Sequence, residues 1–275
     1  MKRIAHRTDR RSPLWRQQQE AHGSLAMATL YRLIARGFAY PERGQIAVMG
    51  AGLGEIGANL GEIGALPDGG PQAGALASPL RALSRAWRTA SAEVLAKEYS
   101  RLFLAAGLVP LREGGYGDGL RFAGQPFDIA DLNGFYAAFG FALNQNAPSP
   151  PDYLGTEAEF LSLLHLKKAI ALSKRQLASA QIVDRAMARF LEEHLGRWVG
   201  AFDAALREAG AASPYAGLGA LLRRAVAADC ARVKVKPRLA RPGVAPDPLA
   251  KDRLECPFAE PAPDKSQAEI AATAG

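Results

Sequence analysis

The sequence predicts an all-α protein, a single-domain helical bundle, and two observations predict it. Ala, Leu and Arg are abundant while β-branched residues are sparse, a bias that favours helix over strand. Segment after segment also repeats its large apolar residues every three or four positions, and no convincing alternating pattern occurs. The chain has 275 residues, 48% of them hydrophobic, enough for one large domain with a sizeable core.

Residues 1–23, MKRIAHRTDRRSPLWRQQQEAHG, read as a basic N-terminal tail. No apolar segment follows them, which argues against a secretory signal. The stretch after Arg10-Arg11 is too polar for a twin-arginine export signal. A helical domain is expected over 24–230. Its first helix, 24–39, spaces Leu30, Ile34 and Phe38 at four, and Pro41 ends it. Residues 42–77 are rich in Gly and Ala and repeat GEIG twice, which reads as a flexible insertion or a weak helix. Ser78-Pro79 has the form of an N-cap and first helical position. A long helical pattern then runs to about Ala106, with a break near Thr89–Ser91.

The Gly- and Pro-rich stretch 107–127 is a loop. Helices are expected near 128–143, from about 152 to Leu172, over roughly 182–209 as one element, and over about 214–229. Residues 231–275 form a basic, Pro-rich C-terminal tail, expected to be disordered beyond Lys236. No run approaches the roughly 20 apolar residues of a membrane span. Two cysteines, Cys230 and Cys256, suggest a reducing cytoplasm and no disulfide framework.

The net charge of +7 is unevenly placed. Residues 1–16 carry six basic side chains against one acid, and 231–241 carry five against none. Residues 98–159 hold eight acids against Arg101, Arg112 and Arg121. Basic ends around an acidic middle suit a surface that receives a cationic partner. Enzyme motifs are missing: there is no GxGxxG after a strand, no Walker A sequence, no HExxH and no GxSxG. Two alternatives remain. One is a metal- or nucleotide-dependent enzyme using the Gly-rich loop 110–126 with His165 or His194, although that loop lacks the lysine and helix start of a phosphate-binding loop. The other is a basic nucleic-acid-binding protein, although no binding module or basic-aromatic interleaving is present. His165 and His194 read as structural histidines, and Glu98 with Arg101 as a local ion pair.

The most informative stretch is SPPDYLGTEAEFLSLLHL, 149–166. Two prolines precede Asp152, which is placed to cap a helix. Tyr153, Phe160 and Leu164 then form a stripe, and Glu157 lies in it. A buried carboxylate without a partner costs several kcal/mol. Asp152 is therefore either a cap or a ligand for an incoming cation. Glu157 either pairs internally, with Arg101 or Arg197, or shares that cation.

Five segments occur in a familiar order: EYSRLF at 98–103, PLREGGY at 110–116, DLNGFYAAFGF at 131–141, PPDYL at 150–154 with Glu157, and FLEEHLGRWVGAF at 190–202. In this arrangement the chain resembles the TorD/DmsD/NarJ-like chaperones over about residues 24–225. The resemblance implies a cytoplasmic, non-catalytic, all-helical protein without a cofactor or metal of its own. Its partner would be the catalytic subunit of a molybdopterin-containing oxidoreductase, bound through its N-terminal twin-arginine-type signal and its body until cofactor insertion. Nucleic acid would not be a partner, and the oligomeric state, monomer or homodimer, stays open. The family's signal-binding motif maps onto Pro150, Asp152, Tyr153 and Leu154. Tyr153 departs from the histidine of many relatives and so loses titration near neutral pH. The expected groove combines Asp152 and Glu157 with the apolar surface of Tyr136, Phe139 and Leu154.

Overall fold

The computed structural model describes residues 12–64, 71–105, 108–116, 125–143 and 149–239. Among them the protein is all-helical, with one isolated β-bridge. Helices α1 (Pro13–Gly37), α2 (Arg43–Gly64), α3 (Pro71–Thr89) and α4 (Ala92–Tyr99) lead into a π-helical turn, Ser100–Ala105. A 3-10 turn, Glu113–Gly115, precedes α5 (Gln125–Ala138), α6 (Leu154–Ser173), α7 (Leu177–Glu193), α8 (Leu195–Glu208) and α9 (Ser213–Val233). Helix α6 is the axis. It buries Leu154, Phe160, Leu161 and Leu164 on one side and His165, Lys168 and Leu172 further along, against α1 and α7. Helices α2 and α3 form a hairpin that closes on α1 and α9.

Several boundaries differ from the expected ones, each for a physical reason. Helix α1 starts at Pro13, not at 24, so residues 13–23 are helical instead of tail. Ser12 caps it by accepting the Trp15 N–H at 3.1 Å, Pro13 supplies a preset φ, and Trp15 is buried. Only residues 1–11 of the expected tail lie outside the described residues.

The Gly/Ala-rich stretch forms most of α2. Ile46, Met49, Leu53, Ile56 and Leu60 are all buried, at alternating spacings of three and four. Each internal glycine costs about 1 kcal/mol of helix propensity, which is why the segment reads as weak. The glycines instead admit α3. A Cβ at Gly57 would lie 3.1 Å from the Leu80 Cβ, and Ser84 donates to the Gly50 carbonyl at 2.6 Å. Helix α3 likewise begins at Pro71 and runs through Pro79, where an N-cap was expected. The break expected near 89–91 is present, with Ser91 capping α4 through the Val94 N–H at 3.2 Å.

Helix α5 ends at Ala138 because Gly140 adopts φ +65°. The Phe141 N–H then reaches the Tyr136 carbonyl at 2.8 Å, and the Gly140 N–H the Ala137 carbonyl at 3.1 Å. The single helix expected over 182–209 is two, α7 and α8, hinged at His194. Gly196 makes the hinge possible, since a Cβ there would collide with the Leu191 carbonyl oxygen. The final helix extends to Val233, and Lys234 in the left-handed conformation closes it. The C-terminal tail from residue 240 on, Cys256 included, lies outside the described residues.

A buried polar network fixes the far end of α6. Asp229 accepts from Tyr31 at 2.8 Å, from His165 Nε2 at 2.9 Å and from Arg232 at 3.0 Å. Arg232 continues to Asp184 at 2.6 Å, and Asp184 meets Lys168, which also reaches Glu20 at 2.6 Å. Four helices, α1, α6, α7 and α9, are tied by these contacts. Burial alone would raise the Asp229 carboxyl. The charge and hydrogen bond of His165, then Arg232 and Tyr31, outweigh it and hold the group far below the usual carboxylate range. Its stabilisation is therefore full above the unfolded value of about 3.9 and is lost as pH falls below it. Asp229→Ala is expected to cost about 3–5 kcal/mol in urea unfolding, because it strands the buried Tyr31 and His165 donors and takes one partner from the half-buried Arg232. A loss below about 1 kcal/mol would show that the network does not hold the bundle.

Candidate functional site

The site forms where the loop 108–116 meets the start of α6. Arg112 and Tyr153 make an antiparallel bridge. The Leu154 N–H donates to the Leu111 carbonyl at 2.8 Å, and the Glu113 N–H to the Asp152 carbonyl at 2.9 Å. These bonds do not depend on side-chain identity, so two distant loops are held in register by backbone alone.

Asp152 does not cap α6. Tyr153 is the N-cap residue and makes no side-chain cap bond. The Asp152 carboxylate, 2% exposed, is instead clamped by Arg112: Nη2 lies 2.9 Å and Nε 3.1 Å from Oδ1, with Oδ2 3.2 Å from Nε. The Arg112 side chain is 53% exposed. A guanidinium facing solvent thus covers a carboxylate facing the core.

Behind this pair lie two more acids. Glu113 is buried, and its Oε2 lies 3.1 Å from His194 Nδ1. His194 Nε2 lies 3.2 Å from Asp131 Oδ2 on α5. A ring with a carboxylate at each nitrogen favours the doubly protonated form, which donates from both. Burial pushes His194 down, but the hydrogen bonds and charges of Glu113 and Asp131 outweigh it and raise the ring above its ordinary value.

Glu157 is fully buried. It pairs with neither Arg101, which holds Glu98 at 2.8 Å, nor Arg197, which donates to the Glu193 carbonyl. Among the described residues its side-chain partner is the Trp198 indole N–H, at 3.4 Å from Oε2. Oε1 of Glu157 and Oε1 of Glu113 are both buried without a partner. Burial first, then the Glu113 charge, raises Glu157 well above the carboxylate range, and the Trp198 bond only partly opposes them. Glu157, the acid with no cation beside it, is thus the group whose charged form burial disfavours.

The remaining expected residues form the apolar wall. Tyr136 is buried, donates to the Pro151 carbonyl at 2.7 Å and packs edge-on against Phe160 and Phe141. Phe139 is half-buried against Phe160. Leu154 is fully buried, whereas Pro150 is exposed. Tyr153 is half-buried and donates to the Phe38 carbonyl at 2.7 Å, beside Tyr99. The structure thus brings all seven residues to one corner. Only Pro150, Phe139 and Tyr153 present surface there, while Asp152, Glu157, Tyr136 and Leu154 sit beneath it.

Arg112, Glu113, Asp131, His194 and Trp198 belong to the same corner, although the expected groove included none of them. Arg112 and Glu113 stood in the PLREGGY motif, and His194 and Trp198 in FLEEHLGRWVGAF. Those motifs were the available signal, but nothing local says that Glu113 is buried against His194, which lies 81 positions away. Asp131, Glu193 and His194 bring ligand-capable atoms within 4.8 Å of one another. The double carboxylate contact of His194 and the Arg189–Glu193 pair at 2.9 Å already balance charge there. In the Gly-rich loop, the Gly115 and Tyr116 N–H groups are spent on the Arg112 and Glu113 carbonyls, and residues 117–124 lie outside the described residues.

An all-helical chain with this acidic and aromatic corner defines a class. Residues 72–204 match the family model described as Nitrate reductase delta subunit. That segment contains every site residue named above except Phe38, and over it the chain is similar to the NarJ/TorD-like family of molybdoenzyme maturation chaperones. No curated protein matches the chain.

A neutral acid at position 157 has a measurable signature. Because its folded value is raised, its stabilisation is full below the unfolded carboxyl value of about 4.3 and is lost as pH rises through the folded value. Glu157→Gln keeps the shape without the titration, and its amide can donate to Glu113. The variant is expected to match the native chain near pH 4 and to exceed it by on the order of 1–2 kcal/mol at pH 8 in urea unfolding. A variant less stable at pH 8 would contradict a protonated Glu157.

Proposed function

We propose that this chain is a system-specific chaperone for a molybdopterin-containing oxidoreductase, working in the cytoplasm and catalysing no reaction of its own. It binds the precursor of the catalytic subunit through its N-terminal twin-arginine-type signal and its body. It holds that precursor until the cofactor is inserted, before export or assembly. The observation that carries this reading is the family match over 72–204, which spans the whole acidic and aromatic corner.

The chemistry of the corner suits such a ligand. A twin-arginine signal offers guanidinium groups followed by an apolar stretch. Guanidinium groups pair bidentately with carboxylates, and apolar segments dock against aromatic surface. Here the acids Asp152, Glu113 and Asp131 lie beside Phe139, Pro150 and the Tyr136–Phe160 packing. Asp152 supplies negative charge from below the surface, while Phe139 and Pro150 make direct contact. Tyr153 positions the α6 start through Phe38 and does not titrate in the neutral range, since burial raises its hydroxyl.

The test is affinity capture of the tagged full chain from a host making respiratory molybdenum enzymes, followed by mass spectrometry. A molybdopterin oxidoreductase catalytic subunit carrying its N-terminal signal is expected among the captured proteins. Phe139→Ser is expected to reduce that recovery about tenfold, through loss of about 1–2 kcal/mol of apolar contact. Absence of any such subunit from the capture, in cells where one is demonstrably expressed, would overturn the reading.

A further inference from the structure

We infer that Arg112 occupies, in the client-free chain, the seat of a client's guanidinium on Asp152, and that binding exchanges one arginine for the other. This rests on the function proposed above and specifies how its site is regulated and what it selects.

Three features of the geometry support the exchange. First, Asp152 is almost fully buried, and among the described residues the side chain that bonds its carboxylate is Arg112. A buried carboxylate cannot be left without a cation at tolerable cost. Second, the Arg112 side chain is 53% exposed, and among the described residues its hydrogen bonds go to Asp152. Third, the backbone of this loop is held without it. The Arg112 carbonyl accepts the Gly115 N–H at 3.0 Å, and the Glu113 N–H reaches the Asp152 carbonyl at 2.9 Å. The guanidinium can swing into solvent while the loop stays in place, provided another cation arrives.

The incoming cation must reproduce a bidentate contact. An alkylguanidinium does so, whereas a lysine ammonium offers a compact, strongly hydrated point charge. Arg112 is thus a specificity-determining residue, admitting guanidinium-bearing ligands and rejecting neutral ones. It also limits affinity. The ligand breaks one ion pair to make another, so the electrostatic gain nearly cancels, and the occupied fraction of the seat reduces apparent affinity. The adjoining apolar contact then decides whether a ligand stays, which suits a client that must be released.

The test uses the full chain with Arg112→Ala, and its first probe is methylguanidinium. Added at millimolar concentration, it is expected to raise the melting temperature of the variant by several degrees more than that of the native chain, with methylammonium giving a smaller difference. Equal shifts in both proteins would overturn the exchange. The second probe is a labelled synthetic peptide with two adjacent arginines before an apolar stretch, followed by fluorescence anisotropy. Arg112→Ala is expected to bind it roughly tenfold tighter than the native chain. A double-lysine peptide should gain less. Native binding with no gain in the variant would sink the exchange and leave the proposed function standing. If neither protein binds the peptide, the arginine-binding reading of the corner fails, and the exchange fails with it.

Discussion

The structure depends on one constraint: α6 is buried along most of its length, so every ionisable group on its inner faces must find a partner inside the protein. Glu157, His165 and Lys168 are all at most 1% exposed. Each recruits a different part of the chain. Lys168 draws in Glu20 and Asp184, His165 draws in Asp229, and Glu157 takes the Trp198 indole. Since burial of an unpaired charge costs several kcal/mol, these partners specify how α1, α7, α8 and α9 sit around α6.

The two ends of α6 solve the problem in opposite ways. At the C-terminal half, opposite charges alternate and the network closes on itself through Arg232. At the N-terminal end acids outnumber cations. Among the described residues, Asp152 bonds Arg112, Glu113 and Asp131 bond His194, and burial disfavours the charged form of Glu157. One end therefore behaves as a rivet. The other retains negative potential next to half-buried aromatic rings, with the solvent-facing Arg112 held by the Asp152 carboxylate. A site that must accept and later release a cationic segment is best built this way. Full internal pairing would leave it nothing to offer, and unpaired acids would destabilise the empty state.

The helical character was legible because apolar spacing and composition are local properties. The break at Ser91 was legible for the same reason, since a capping serine needs only its own turn. Helix α2 was not, because its glycines lower helix propensity and reveal their use only when Ser84 and Leu80 of α3 lie against them. The hinge at His194 was hidden within a continuous apolar pattern, and it is Gly196 against the Leu191 carbonyl that accommodates it. At the site, the start of α6 and its aromatic neighbours could be read from spacing and motif. The partners of Asp152 and Glu157 could not, because Arg112 and Trp198 lie 40 and 41 positions away.

By itself the sequence determined an all-α chain, the family-like order of its motifs and the segment on which acids and aromatics converge. These follow from residue type and short-range periodicity. Only the tertiary structure decided which carboxylate is clamped, which is protonated and which reaches solvent. Those outcomes depend on desolvation and on charges brought together from distant positions, and neither quantity exists until the bundle has closed.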